Sequence, residues 1–293
     1  LKSAPDEERR RLIELELAMM QVEAGKRAQG LEALDRLWRA EHRDAHGAKA
    51  MWEAARLREE AGDAAKAKRM REALITRYPG HVWADLALQS MRREYIERGA
   101  AQALCVKLTA MLPAVRGSGM SQQILFTRAE VERDALKDLE RALKTFEEAA
   151  KLDSGGPLAD DAVWERAEIY RGMKDWDRAL VELGRLAEPG ESSWFVGSYD
   201  KEYADQARYD RGVILLEHKG DWRGAKAEFE QFLRDYEDSL LRDDAAWGIV
   251  RAVWQGEGEV AGKAAMAAFE SEYKESRYRR LAEAIRAGNQ ERP

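Results

Sequence analysis

The side chains in this chain that are best suited to chemistry are few and scattered. His42 and His46 stand four apart, a spacing that on a helix puts two imidazoles on one face, where they could share a metal ion. No cysteine lies near them and no second histidine pair completes a ligand set, so the pair reads as solvated, and no metal or cofactor is expected. The lone Cys105 has no accompanying histidine motif that would make it a nucleophile, and a single cysteine forms no internal disulfide. Neither a phosphate-binding glycine loop nor a serine-elbow motif is present. No catalytic residue is assigned, and the expectation is a protein that is not an enzyme.

Composition narrows the remaining classes. The 293 residues are 45% hydrophobic and 35% charged, enough apolar surface for a folded domain. A net charge of −6, with no sustained basic stripe, argues against nucleic acid as the main partner. No apolar run approaches the length of a transmembrane helix. The chain opens on Leu1, which reads as a processed or trimmed start, with any signal peptide out of view.

The elements that would have to position a site announce themselves by repetition. Gly30, Ala67, Leu104, Ala142, Ala179, Ala225 and Gly262 are equivalent anchors, separated by 37, 37, 38, 37, 46 and 37 residues. Five residues before the anchor stand Gly25, Gly62, Gly99 and Gly220, or Lys137 and Lys174, where a first helix must end in a left-handed residue. One residue later come Asp63, Asp138, Asp175 and Asp221, which suit the N-cap of a second helix. Four and seven residues after the anchors lie apolar side chains such as Leu34 and Leu37, Phe146 and Ala149, Phe229 and Phe232, on one helical face. Arg71 alone breaks that pattern. Six of the seven anchors are small, Leu104 being the exception, because two helix backbones must approach closely there. Helix, tight turn, helix is therefore the unit, and no segment shows the alternation of a strand.

These units resemble tetratricopeptide repeats, antiparallel helix pairs with small residues at fixed positions, although the 37-residue step exceeds the usual 34. The resemblance covers nearly the whole chain and implies an all-α fold, a right-handed α-solenoid of about seven helix pairs with a closing helix around 276–287. The links add an echo of their own. Tyr78, Tyr236 and Tyr273 stand eleven residues after an anchor, and Ala87, Ala245 and Ala282 stand twenty after it. Such links are similar to those of bacterial cell-envelope repeat proteins: outer-membrane assembly lipoproteins, Tol-Pal coordinators and the helical region of soluble lytic transglycosylases. The last family would imply a catalytic domain beyond Pro293, and "ESSWF" at 191–195 resembles the Glu-Ser that opens such a domain. The glycine-rich continuation is absent, so Glu191 is not read as a catalytic acid.

In a tetratricopeptide superhelix the first helix of each pair lines the concave wall, and the resemblance places the residues fifteen, eleven and eight before each anchor on it. These are Trp52, Arg56 and Glu59 in the second pair, Gln89, Arg93 and Ile96 in the third, Trp164, Glu168 and Arg171 in the fifth, and Trp247, Arg251 and Trp254 in the seventh. Tryptophan and arginine are the residues enriched at binding hot spots. The same tryptophans could equally be wedged between pairs as core, and the register alone leaves both readings open. Trp176 and Trp222, at the turns, read as packing residues.

The single 46-residue step surrounds "EPGESSWFVGSYDKEY" at 188–203, where Trp194, Phe195, Tyr199 and Tyr203 share one loop that reads as a tether more than as a binding loop. It suggests three regions: units one to five over 1–190, an aromatic insertion over 191–205, and units six and seven with the closing helix over 206–293. The expected function is a non-catalytic scaffold holding a protein or peptide partner in its groove, in the periplasm or at the outer membrane of a bacterium. Any membrane association would come from sequence upstream of Leu1, as a lipid anchor or within a membrane complex; a cytoplasmic adaptor is the alternative location.

Overall fold

A computed structural model describes residues 4–187, 203–288 and 293. The segment 188–202, with Glu191, Trp194, Phe195 and Tyr199, lies outside the described residues. Seven helix pairs follow in order: α1 (Ala4–Glu23) with α2 (Arg27–Arg39), α3 (Ala45–Glu60) with α4 (Ala64–Arg77), α5 (Val82–Glu97) with α6 (Ala101–Met111), α7 (Gly119–Asp134) with α8 (Leu139–Leu152), α9 (Ala159–Gly172) with α10 (Trp176–Ala187), α11 (Ala204–Glu217) with α12 (Trp222–Asp235), and α13 (Arg242–Glu257) with α14 (Glu259–Glu272). A short helix α15 (Arg279–Arg286) closes the series, and no strand occurs among the described residues. The fold is all-α.

Each pair forms for the reasons its sequence gives. The first helices of pairs one to six end on Gly25, Gly62, Gly99, Lys137, Lys174 and Gly220, all with positive φ. At Lys137 and Lys174, φ is 56° and 58°, a conformation that a side chain disfavours by roughly 1–2 kcal/mol. The aspartates that follow cap the second helices: Asp63, Asp138, Asp175 and Asp221 accept the backbone N–H three residues on at 3.1, 3.0, 3.2 and 2.9 Å. The seventh pair differs, since Gly258 alone joins α13 to α14, without an aspartate cap.

The anchors are where the backbones meet. All seven are buried. At Gly30 a Cβ would stand 2.5 Å from Val22 and 2.8 Å from the carbonyl oxygen of Ala18, so α1 and α2 touch through glycine. The apolar positions beyond the anchors are buried as well, including Leu34, Leu108, Phe146, Leu183, Phe229 and Met266. Arg71, the exception, lies over the Trp52 ring at 5.8 Å and pairs with Glu59.

First helices also pack on the second helix of the preceding pair, as α3 does on α2, α5 on α4, α7 on α6, α11 on α10 and α13 on α12. The packing forms two compact units, Leu1–Gly156 and Pro157–Pro293. The first holds α1 to α8, with a continuous core from Leu15 through Met51, Tyr78 and Leu104 to Val131. The second holds α9 to α15, with core clusters around Phe229 and Phe232 and around Trp247 and Phe269. The boundary between the two units falls at Gly155-Gly156-Pro157, where the chain breaks its helical run, and α10 and α11 pack on one another within the second unit.

Candidate functional site

In the first compact unit a groove of about 520 Å³ lies between α5 and α7, lined by Gln89, Arg92, Arg93, Ile96, Glu130, Val131 and Asp134. Three of these, Gln89, Arg93 and Ile96, are the wall residues expected for the third pair. Arg92 bridges the groove to Glu130 at 2.7 Å. Asp134 is held below the usual carboxylate range, chiefly by its hydrogen bond from Arg133 and further by the charges of Arg133, Arg92 and Lys137, against the opposing effect of burial. Arg93 is exposed and has no ion-pair partner among the described residues, and Ile96 is 38% exposed. Arg93 also borders a second depression, of about 470 Å³, together with Glu59, Lys68, Arg71, Glu94 and Glu97. The pair α5–α7 thus presents an uncommitted guanidinium and an apolar side chain between fixed carboxylates.

The other predicted residues mostly tie first helices together. Trp52 sits at 6.0 Å from Trp83 of α5 and is partly buried, wedged between neighbouring pairs. Arg56 is engaged along its own helix by Glu53 at 2.8 Å and Glu60 at 2.5 Å. In the second compact unit Arg171 joins Glu168 at 2.6 Å and Asp210 of α11 at 2.8 Å, while Arg251 reaches Glu217 of α11 at 2.9 Å. Burial pushes the Asp210 carboxyl up, and Arg171 pulls it partly back. Trp164 is stacked on Tyr203, with centroids 4.9 Å apart, and the Tyr203 hydroxyl donates to Asp161 at 2.7 Å. That pairing fastens the start of α11 to α9.

Trp247 requires a correction. It is 3% exposed and packs between Phe269 and Tyr278 at 5.2 Å from each, so it has no face to offer an open groove. The reason is its neighbours: α14 and α15 close over it, and Tyr278 stacks flat on the indole. Trp254 is half-buried, its ring pressed so close to α14 that a Cβ at Gly262 would stand 2.4 Å from it. Trp176 stacks on His218 at 3.8 Å, and Trp222 packs against the Phe229 cluster, as turn residues should.

The residues with reactive potential are accounted for in the same way. His42 is exposed and reaches Glu7 at 3.2 Å, and no three His, Cys, Asp or Glu side chains converge to hold a metal among the described residues. Cys105 is 2% exposed, and burial, followed by the nearby Glu132, pushes its thiol up, away from the thiolate form. No helix among the described residues is long and apolar enough to cross a membrane.

Sequence reasoning missed Arg92, Glu130 and Asp134 as groove residues. Asp134 stands eight before Ala142 and obeys the register, so its signal was present. Arg92 and Glu130 fall one position off it and become visible only through the α5–α7 packing.

A chain of successive helix hairpins with a groove between first helices is, by class, a helical repeat protein. Two of its units, residues 49–81 and 206–239, match the tetratricopeptide repeat family, and they coincide with α3–α4 and α11–α12. Solved structures of similar fold include a tetratricopeptide repeat protein from Parabacteroides merdae, with 12% identity over 93% of this chain and 97% of that one and a TM-score of 0.36. A thermophilic repeat protein from Thermus thermophilus shows 16% identity over 82% and 99%, with a TM-score of 0.29. Human IFIT1, solved as a dimer with m7Gppp-AAAA, shows 12% identity over 90% and 67%, with a TM-score of 0.41. No curated protein matches the chain.

Proposed function

We propose that the protein is a non-catalytic scaffold that binds a segment of another protein across its first helices, with the α5–α7 groove as the docking point. The observation that carries this is Arg93: an exposed guanidinium without a partner among the described residues, beside the exposed Ile96, in a groove the repeat register anticipates. Repeat proteins use such faces to hold partners. Within the α5–α7 groove the other charges are already paired, Arg92 with Glu130 and Asp134 with Arg133, so the incoming segment supplies a carboxylate for Arg93 and an apolar side chain for Ile96. The working location proposed is a bacterial cell envelope, supported by the Tyr78, Tyr236 and Tyr273 links that resemble envelope repeat proteins; cell fractionation tests it.

The binding test is a photo-crosslinking residue placed at Ile96 in the native host, with mass spectrometry of the captured peptide. A single dominant peptide is expected, and its affinity for the purified protein falls at least about tenfold in Arg93→Glu, because a charge-assisted hydrogen bond is replaced by repulsion between two carboxylates. Capture from no particular sequence, or an affinity that Arg93→Glu leaves unchanged, would count against this groove.

A further inference from the structure

The helix α1 carries two apolar faces. Leu15, Ala18 and Val22 pack toward α2, and on the opposite side Ile13, Leu17 and Met20 are 52%, 53% and 62% exposed. Their spacing of four and three makes one stripe along the helix. Solvent-facing positions on a helix are ordinarily polar, so a second stripe needs an occupant.

The repeat itself says what this face is. The positions equivalent to Ile13, Leu17 and Met20 in α3 are Ala50, Ala54 and Leu57, all buried, and in α13 Ala245 and Ala252 are fully buried. In α5 the equivalents are Ala87, Met91 and Glu94, and Glu94 meets Lys68 of α4 at 2.9 Å. In every case the face lies against the second helix of the preceding pair. The equivalent of Ile13 is alanine in these three helices, but in α7 it is the buried Leu125, so a face with a large residue at this position is one the repeat itself buries against a helix.

The charges beside the stripe select the occupant. Arg9, Glu16 and Glu23 follow at heptad spacing along one flank; all are exposed, and Arg9 and Glu23 have no ion-pair partner among the described residues. The flank is basic at one end and acidic at the other, about 21 Å apart at 1.5 Å per residue. A second α1 laid antiparallel, with its two-fold axis near Glu16 and Leu17, sets each Arg9 against the other copy's Glu23. The same operation lays the two Ile13-Leu17-Met20 stripes on one another. Self-complementarity of this kind is what a two-fold interface requires. We propose that α1 is a homodimerisation helix, pairing antiparallel with α1 of a second copy through Ile13, Leu17 and Met20, with reciprocal Arg9 to Glu23 ion pairs. The one unfavourable feature is the approach of the two Glu16 carboxylates at the axis.

Sedimentation velocity over a concentration series tests this on the whole chain. Wild type is expected to move from monomer to dimer as concentration rises. Leu17→Glu should remain monomeric with an unchanged circular dichroism spectrum and melting temperature, because the side chain is exposed within one copy. Arg9→Glu should raise the dissociation constant about tenfold, the reversal of two rim ion pairs, and adding Glu23→Arg should restore it. Glu16→Gln should tighten the dimer. A wild-type monomer at every concentration would overturn the proposal and leave the face to a helix of another protein or to residues preceding Leu1. A dimer that survives Leu17→Glu, or charge reversals that fail to compensate, would overturn it too.

Discussion

Trp247 and Arg93 occupy comparable wall positions in their repeats and have opposite fates. The indole is enclosed by Phe269 and Tyr278, so Trp247→Ala should cost on the order of 3–5 kcal/mol and lower the melting temperature accordingly. Arg93→Ala should change stability by less than about 0.5 kcal/mol, since nothing among the described residues depends on it. Chemical denaturation of both variants checks the contrast. A second residue-scale prediction concerns acid. Burial raises the Asp44 carboxyl, but hydrogen bonds from Arg11 and the Gly47 N–H and the Arg11 charge outweigh it, so the group sits below the usual carboxylate range. A depressed folded pKa means stability that is present above the ordinary carboxylate value and lost as pH falls through the folded one. Asp44→Asn should therefore be less stable at neutral pH, and its difference from wild type should shrink in acid denaturation below the carboxylate range. Tryptophan register was legible in the sequence, but burial was not, because a wall position and a wedge position share one period and only the packing of α14 and α15 separates them.

At the scale of elements the sequence was most informative where the determinant is local. A left-handed residue followed by aspartate needs no tertiary context to end one helix and start another; all seven turns contain a residue of positive φ, six of them five residues before the anchor, and four have the aspartate cap behind it. The same locality makes the turns testable. Lys174 has φ of 58° in a turn that elsewhere uses glycine, so Lys174→Gly should stabilise the α9–α10 pair by roughly 0.5–1 kcal/mol despite the entropy glycine adds to the unfolded chain. Asp221→Ala, which removes the N-cap of α12, should cost about 1 kcal/mol. Thermal melts of the two variants should move in opposite directions. The seventh turn escaped the rule because Gly258 serves both helices at once, leaving a one-residue connection where the other turns have three or four, a difference the unchanged 37-residue step does not register.

For the whole molecule the repeats were legible in the sequence, whereas the two compact units are a matter of packing. The 46-residue step drew attention to 188–203 because length is what a repeat alignment measures, whereas the step across Gly155-Gly156-Pro157 is an ordinary 37 and gives no length signal. Packing places the division there nonetheless, with α1 to α8 in one unit and α9 to α15 in the other. Repeat arrays gain stability from neighbouring pairs, so the outcome of a truncation depends on which neighbours it removes. A chain ending at Gly156 keeps every interaction within the first unit and should give a helical circular dichroism spectrum and a cooperative melt, as should the complementary piece beginning at Pro157. A chain ending at residue 190 instead retains α9 and α10 without α11, leaving Gly184 and Leu180 without the Arg211 side chain that lies against them. That longer fragment should show a cooperative transition like that of 1–156, together with rapid hydrogen exchange confined to α9 and α10. Uniform protection through α10 in the 1–190 fragment, or a random-coil spectrum for 1–156, would show that the helix pairs do not partition at Gly156.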